Sequence, residues 1–392
     1  MKLVPALNLA LLQKRLLASP LRFLLIPLSW LYGLIVSGRN RLYAVGVFKA
    51  RRLPCRVISV GNITVGGTGK TPAVIAIAKH LQQQNVRAAI LLRGYKRASR
   101  EQVTIVSDGQ RVCATLKESG DEAYMLAKHL SGIPIIVGRH RYQAGRVALE
   151  RFDVDVLLLD DGFQHRQLAR DVDILTVPVH SAAPEHPFRD REKLLPAGTL
   201  REPVTALRRA DVILLTHTDA VDMLRLTKNA TPTSMLKARV LGQTKAAFQQ
   251  FAPNALILES VHQPVRLYPC RGGVPQPSFE EMALKVLDGK RILAVCGIGN
   301  PDAFVATLRQ YSPERVELMA FPDHHVYTEV DMAAIDTAFQ TSRADLIVTT
   351  QKDEQKLVDL VADREVVIAV LEIALVITEG VDRLVEQLTV NS

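Results

Sequence analysis

Apolar positions along this chain follow two rhythms. Short aliphatic, largely β-branched runs recur at 57–60, 87–92, 133–137, 154–159, 172–177 and 211–215. Continuous runs of that length, closed by Gly, Asp or Arg, suit strands buried on both faces of a parallel sheet. Between them the apolar residues return at helical spacing, as from Lys70 to about Gln84 and from Glu122 to Leu130. Strand alternating with helix predicts an α/β protein with a mainly parallel sheet. The composition changes near residue 226, and runs at 255–260, 291–296, 316–320, 345–350 and 366–371 predict a second, smaller α/β unit. The pattern divides the chain into an N-terminal segment (1–52), a core (53–225) and a C-terminal domain (226–392).

The first segment has a different character. Residues 23–36 are uncharged and strongly apolar, and they hold the only tryptophan, Trp30. Lys14, Arg15 and Arg22 precede the run; Arg39, Arg41, Lys49, Arg51 and Arg52 follow it. Fourteen uncharged residues fall short of the ~20 that span a bilayer. The pattern predicts an interfacial helix or hairpin, with Trp30 and Tyr32 at headgroup depth and the basic flanks on anionic lipid. A cleaved signal peptide fits poorly, since no A-x-A site follows. An ordinary packed helix is the competing reading.

The densest chemistry follows the first strand. Val60-Gly61-Asn62-Ile63-Thr64-Val65-Gly66-Gly67-Thr68-Gly69-Lys70-Thr71-Pro72 runs from strand through glycine-rich turn into helix. Glycines let several backbone N–H groups converge on one anion, and the helix N-terminus adds its dipole. Thr64, Val65, Gly66, Gly67, Thr68, Gly69, Lys70 and Thr71 would cradle a nucleotide's phosphates, with Lys70 on the β/γ-phosphates and the Thr71 hydroxyl on Mg²⁺. Thr64 stands where the strict G-x-x-x-x-G-K-[ST] pattern has glycine. The run ending in Asp160-Asp161-Gly162 has the form of a Walker B strand, whose carboxylate completes the Mg²⁺ shell.

Other strand ends carry polar clusters: Arg93-Gly94-Tyr95, Arg139-His140-Arg141 and Phe163-Gln164-His165-Arg166. Open α/β sheets bind ligands at such ends. Asp121, in Gly120-Asp121-Glu122, is placed as a helix N-cap, and an acidic pair there could also face the phosphates as base and metal partner. Thr216-His217-Thr218-Asp219 superficially resembles a guanine-reading N-K-x-D motif but lacks Asn and Lys, so ATP is expected rather than GTP. Phe321-Pro322-Asp323-His324-His325 pairs histidines with a carboxylate that could fix a tautomer.

Composition narrows the partners. The formal charge of +9 points to an anionic partner. With 5% aromatic residues and no base-stacking or zinc-finger motif, that partner is not expected to be nucleic acid. Cys55, Cys113, Cys270 and Cys296 lack metal-like spacing and read as reduced thiols.

Taken in order, these motifs resemble those of the tetraacyldisaccharide 4′-kinase family, the lipid A 4′-kinases of Gram-negative bacteria. The resemblance adds Leu194-Leu195-Pro196-Ala197-Gly198, Leu200-Arg201-Glu202-Pro203 and Gly297-Ile298-Gly299-Asn300-Pro301, and the Thr64 form of the loop is the family's own. Charged residues 188–193 replace a usual Gly-rich segment, Thr199 stands where Pro is common, and Gln351 stands where Glu is expected. The resemblance implies a P-loop core, a smaller C-terminal α/β domain and an N-terminal membrane-associated helix. It implies transfer of ATP's γ-phosphate to the 4′-hydroxyl of tetraacyldisaccharide 1-phosphate, giving lipid IVA, at the cytoplasmic face of the inner membrane. By motif it makes Asp121 the base tuned by His324, and sets Glu122, Asp160 and Asp161 around Mg²⁺. Asn62, Arg93, Gln164, His165 and Arg201 become contacts to the disaccharide and its phosphate. A membrane-associated P-loop switch is the alternative; it would hydrolyse nucleotide with no lipid acceptor.

Overall fold

The computed structural model describes residues 25–95, 97–99, 101–179, 193–218, 233–270, 283–299, 301–323, 325–361 and 367–389. Twelve strands form one sheet in the order β10-β9-β11-β12-β8-β7-β6-β1-β5-β2-β4-β3. In chain order β1 to β6 are Arg56–Gly61, Ala88–Leu92, Val103–Asp108, Pro134–Gly138, Val156–Asp160 and Val172–Pro178. β7 to β12 are Val212–Thr216, Leu256–Pro269, Arg291–Cys296, Arg315–Ala320, Leu346–Thr350 and Ile368–Ile377. All neighbours run parallel except β3 with β4 and β8 with β12. The central strands β1, β2 and β5 to β7 are buried almost throughout, as continuous apolar runs require.

The helices used below are α1 (Leu25–Ala44), α2 (Lys70–Gln83), α3 (Asp121–His129), α4 (Arg141–Arg151), α5 (Thr233–Phe251), α6 (Pro301–Arg309), α7 (Glu329–Ser342), α8 (Gln351–Val361) and α9 (Val381–Thr389). On one face of the sheet, Val74, Ile77 and Leu81 of α2 pack with Leu126 of α3. Leu375 of β12 and Leu384 and Leu388 of α9 join the same cluster. The C-terminal end of the chain therefore completes the core laid down by the nucleotide-loop helix.

Three elements depart from the sequence expectation. β8 runs to Pro269, nine residues past the expected end at 260. Its first residues pair with β7 (Val212↔Leu256 to Leu215↔Glu259) and the rest with β12, from Ser260↔Ile377 to Pro269↔Ala369. Pro264 lies inside this extension, where a proline supplies no N–H to the ladder. The structure accommodates it at an irregularity between Glu372 and Ile373, where the ladder changes register. β3 is an edge strand with mixed burial, and its antiparallel pairing to β4 was not anticipated. At the start of α3 the N-cap is Gly120, with φ 83°, so Asp121 is the first helical residue rather than the cap.

α1 is amphipathic in an inverted sense. Ser29, Gly33 and Val36 face the protein, while Trp30 and Leu34 are 76% and 72% exposed. Gly33 brings α1 close to the 194 segment: a Cβ there would lie 2.7 Å from Leu194 Cδ1, so that side chain would have to shift. Among the described residues no helix is long and apolar enough to cross a membrane.

Phe163 is fully buried directly above Gly61, where an added Cβ would sit 2.6 Å from its own Cβ. The Arg209 guanidinium covers its ring at 4.2 Å. Phe163→Ala empties that site and exposes the packing of β1 against the Asp-Asp-Gly turn. We expect a loss of ~3–5 kcal/mol in stability, read as a lower denaturant midpoint; an unchanged midpoint would show that the turn is not anchored by this ring.

Candidate active site

The turn 64–69 leaves the carboxyl end of β1 and enters α2 at Lys70. Gly69 adopts φ 79° and Gly66 φ 112°, conformations that L side chains rarely adopt. Beneath the loop lies a lattice of hydroxyls. Thr68 Oγ1 accepts from Asn62 Nδ2 at 2.9 Å and shares a hydrogen bond with Thr176 Oγ1 at 2.9 Å. Thr216 Oγ1 donates to the Thr68 carbonyl at 3.1 Å, and Thr176 Oγ1 to the Gly61 carbonyl at 3.2 Å. Thr176 lies near the end of the aliphatic strand β6, and Thr216 ends β7. Their position, polar at the last turn of an apolar run, was the available signal for a role under the loop.

The first half of the loop is fastened from outside. Val65 N donates to Thr199 O at 2.8 Å, Arg201 N donates to Ile63 O at 2.7 Å, and Thr64 pairs antiparallel with Leu200. This pairing delivers Arg201 to the site. Its Nη1 donates to both oxygens of Asp161, at 2.8 and 2.9 Å. Lys70 Nζ stands 3.8 Å from the same carboxylate, and Thr71 Oγ1 donates to Asp160 Oδ2 at 3.1 Å.

The two adjacent carboxylates are driven apart electrostatically. Burial raises Asp160 well above the usual carboxylate range, with Glu122 and Asp161 adding repulsion against Lys70 and the Thr71 hydroxyl. Burial also works to raise Asp161, but Lys70, Arg201 and Arg141 outweigh it and hold the group below its ordinary value. Asp161 has φ 52°, a left-handed conformation that turns the chain sharply after β5. Asp160 thus meets an excess of negative charge, and Asp161 an excess of positive charge.

Hard oxygen donors at Thr71 and Asp160, crowded by Glu122, fit a Mg²⁺ ion shared with nucleotide phosphates. Among the described residues no three His, Cys, Asp or Glu side chains converge as a metal cage. Mg²⁺ bound through one or two carboxylates and substrate phosphates needs none.

Arg141, at the start of α4, was noted in the sequence only as part of a basic cluster. It is almost wholly buried, donating to the carbonyls of Gly138 and Asp160 at 3.0 and 3.3 Å. Burial lowers it to about 10, so it remains charged at neutral pH. Arg93 and His165 lie in the same field. His165 is pushed down to about 4, by burial first and then by Arg141, Arg170, Arg93 and His140.

Gln164 Nε2 donates to the Asn62 carbonyl at 2.8 Å, and Asn62 itself is buried under the loop. Asp121 is ion-paired across the α3–α8 contact: Lys356 Nζ lies 3.1 Å from Asp121 Oδ2. His324 lies outside the described residues. His325 is committed locally, its Nε2 3.1 Å from Asp331 Oδ2 and its ring stacked on Phe321 at 4.8 Å.

A phosphate cradle beside two carboxylates whose surroundings push them in opposite directions, at the carboxyl ends of a parallel sheet, is the apparatus of P-loop phosphotransferases. The chain belongs to the tetraacyldisaccharide-1-P 4′-kinase (LpxK) family, whose model matches residues 21–390. A tetraacyldisaccharide 4′-kinase of Syntrophus aciditrophicus is 42% identical over 340 residues, 86% of this chain and 85% of the relative. That of Aquifex aeolicus is 34% identical over 337 residues, covering 86% and 90%. The crystal structure of the "apo" form of the Aquifex aeolicus LpxK, in complex with ATP, superposes with a TM-score of 0.69 at 31% identity. It covers 94% of this chain and 98% of that one.

The basic field around His165 has a direct readout. Its ring resonances should keep their neutral-state positions as pH falls from 8 to about 5. A midpoint near the ordinary histidine value of ~6.5 would mean that neither burial nor the arginines act on it.

Proposed function

We propose that this protein transfers the γ-phosphate of ATP to the 4′-hydroxyl of tetraacyldisaccharide 1-phosphate, giving lipid IVA. The observation that carries the reading is one shared loop. Arg201 grips Asp161 beside Lys70, while its own carbonyl accepts from Tyr32 Oη of α1 at 2.8 Å. Ser29 Oγ of α1 donates to Leu194 O at 2.7 Å, and Asn40 Nδ2 to the buried Glu202 at 2.6 Å. A phosphate cradle and a helix with an exposed apolar face are therefore held by the same residues. A cleft of about 480 Å³ between α1 and residues 193–197, lined by Trp30, Leu34, Leu194 and Ala197 among others, suits an acyl chain. Family membership favours this reading over the nucleotide-driven switch.

In this reading Lys70 and the loop amides neutralise the β/γ-phosphates, and Thr71, Asp160, Asp161 and Glu122 hold Mg²⁺. An ion held there would supply positive charge to offset that developing on the transferring phosphoryl group. Asp121 takes the proton of the sugar hydroxyl, with His324 as its partner, and Lys356 fixes the carboxylate from α8. Arg93, Gln164, His165 and Arg201 meet the disaccharide and its phosphate, and Asn62 acts there through the loop that it supports. Residues 53–225 supply the nucleotide side and residues 226–392 close the site from the other. Residues 1–52 rest on the anionic cytoplasmic face of an inner membrane as a peripheral or monotopic anchor.

Two measurements test these claims. With ATP and detergent-dispersed tetraacyldisaccharide 1-phosphate, Lys70→Ala should lose at least ~10² in kcat/KM, because a point charge on the transferring phosphate is gone. Near-wild-type lipid phosphorylation by the folded variant would remove the cradle from the mechanism. Charged replacements at Leu28, Leu31 and Leu34 should release the protein from anionic vesicles and raise the KM for lipid, with ATP affinity unchanged. Variants that still pellet with vesicles and turn over normally would show that α1 is not an anchor.

A further inference from the structure

Building on the reading of Asp121 as the base, we infer that α8 is the spacer that sets Asp121 against the loop 321–327, with Lys352 and Lys356 as its two positioning residues. Lys356 Nζ lies 3.1 Å from Asp121 Oδ2, and Lys352 Nζ donates to Asp323 Oδ1 at 2.8 Å. The two lysines begin and end Lys352-Asp353-Glu354-Gln355-Lys356. Residues i and i+4 share one face of a helix, one turn or about 6 Å apart along its axis. One face of one helix thus holds both the start of α3 and the residue before His324.

The loop meets α8 at more than Lys352. Its aromatic residues pack together: Phe321 stacks on His325 at 4.8 Å and meets Tyr327 edge-on at 5.0 Å, and His325 meets Tyr327 at 5.1 Å. Tyr327 is seated beside the first turn of α8. A Cβ on Gly297 would lie 3.0 Å from Asp353 Oδ1 and 3.3 Å from Tyr327 Oη, so both side chains close on that glycine. Asp353 is fully buried, and its Oδ2 accepts from Gly297 N at 2.9 Å and from Thr350 Oγ1 at 2.8 Å. The helix has its own footing on the sheet. Gln351 Oε1 accepts from Ile373 N at 3.3 Å, at the irregularity of β12.

The hold on α3 is equally definite. Lys356 is buried at its contact with Asp121. At the other end of α3, His129 Nε2 stands 3.6 Å from Glu354 Oε2, which accepts from Tyr268 Oη of β8 at 2.8 Å. Contacts at its first and last residues hold α3 against pivoting. A buried ion pair adds little net stability, because desolvation offsets the attraction. Its effect here is geometric. A reacting group displaced by about 1 Å can lose ~10²-fold in rate, so the one-turn spacing matters more to turnover than to folding.

The test uses the full-length protein with ATP and detergent-dispersed tetraacyldisaccharide 1-phosphate. Lys352→Met and Lys356→Met keep aliphatic stems and remove the charges, and thermal unfolding reports whether each variant is folded. Each is expected to lower kcat at least ~10-fold, with the KM for ATP and for lipid unchanged. Releasing either end frees the same distance, so the double variant should lose no more than the more severe single. On an Asp121→Asn background, Lys356→Met should cost nothing further. Lys352 is a quarter exposed, so Lys352→Met decides alone should Lys356→Met not fold. A folded single variant with wild-type kcat overturns the inference, as does a loss carried in KM. Multiplied losses in the double variant would mean two independent roles and overturn it too. Wild-type turnover by Asp121→Asn would refute the reading of Asp121 as the base, and the spacer with it.

Discussion

The structure depends on the antiparallel pairing of residues 63–65 with 199–201. Two backbone hydrogen bonds, Val65 N to Thr199 O and Arg201 N to Ile63 O, tie a flexible glycine-rich turn to a second segment. A loop rich in glycine gains anion affinity through its exposed N–H groups and loses it through conformational entropy. The pairing removes part of that freedom before any phosphate arrives. It also sets Arg201 on Asp161 and makes the 193–202 segment continuous with α1 through Tyr32, Ser29 and Asn40. Positioning dominates phosphoryl transfer, so a scaffold that immobilises the cradle from two sides is an economical basis for it.

Charge is arranged with the same directness. Arg141 is buried against the carbonyl of Asp160, where it raises positive potential under the turn without offering itself to a ligand from solvent. Asp161 stays ionised among Lys70, Arg201 and Arg141, whereas Asp160 is crowded by other acids. Buried charges are costly unless compensated. The imbalance at Asp160 is the kind that a divalent cation relieves. The inverted α1 presents its large apolar residues outward, Trp30 and Leu34 among them, while Ser29, Gly33 and Val36 face the protein.

Much of this was legible in the sequence because it is local. Strand, glycines, Lys70 and Thr71 lie within one short stretch, and the aliphatic run ending at Asp160 announces both its burial and its acid. The exposed face of α1 was readable from composition and from the basic flanks of residues 23–36. What escaped depends on contacts between distant residues. Lys356 meets Asp121 only because α8 packs on α3, and Arg141 is buried only once β4 and β5 are neighbours. β8 continues past residue 260 because β12, more than a hundred residues later, pairs with it there, and Pro264 sits next to the irregularity in that ladder. Asp121 yielded the cap to Gly120 because the turn there needs positive φ. His325 is engaged with Asp331 and Phe321, a local contact that its place in the sequence did not announce.

The account's central claim is chemical: one hydroxyl of a lipid disaccharide is the acceptor. The most direct measurement is phosphorus–proton correlation NMR of the lipid product made from ATP and tetraacyldisaccharide 1-phosphate by the full-length protein. The account predicts a second phosphorus signal, coupled to the proton on carbon 4′ and absent when ATP is omitted. A second phosphorus coupled to any other sugar proton, or inorganic phosphate released with the lipid unchanged, would contradict it.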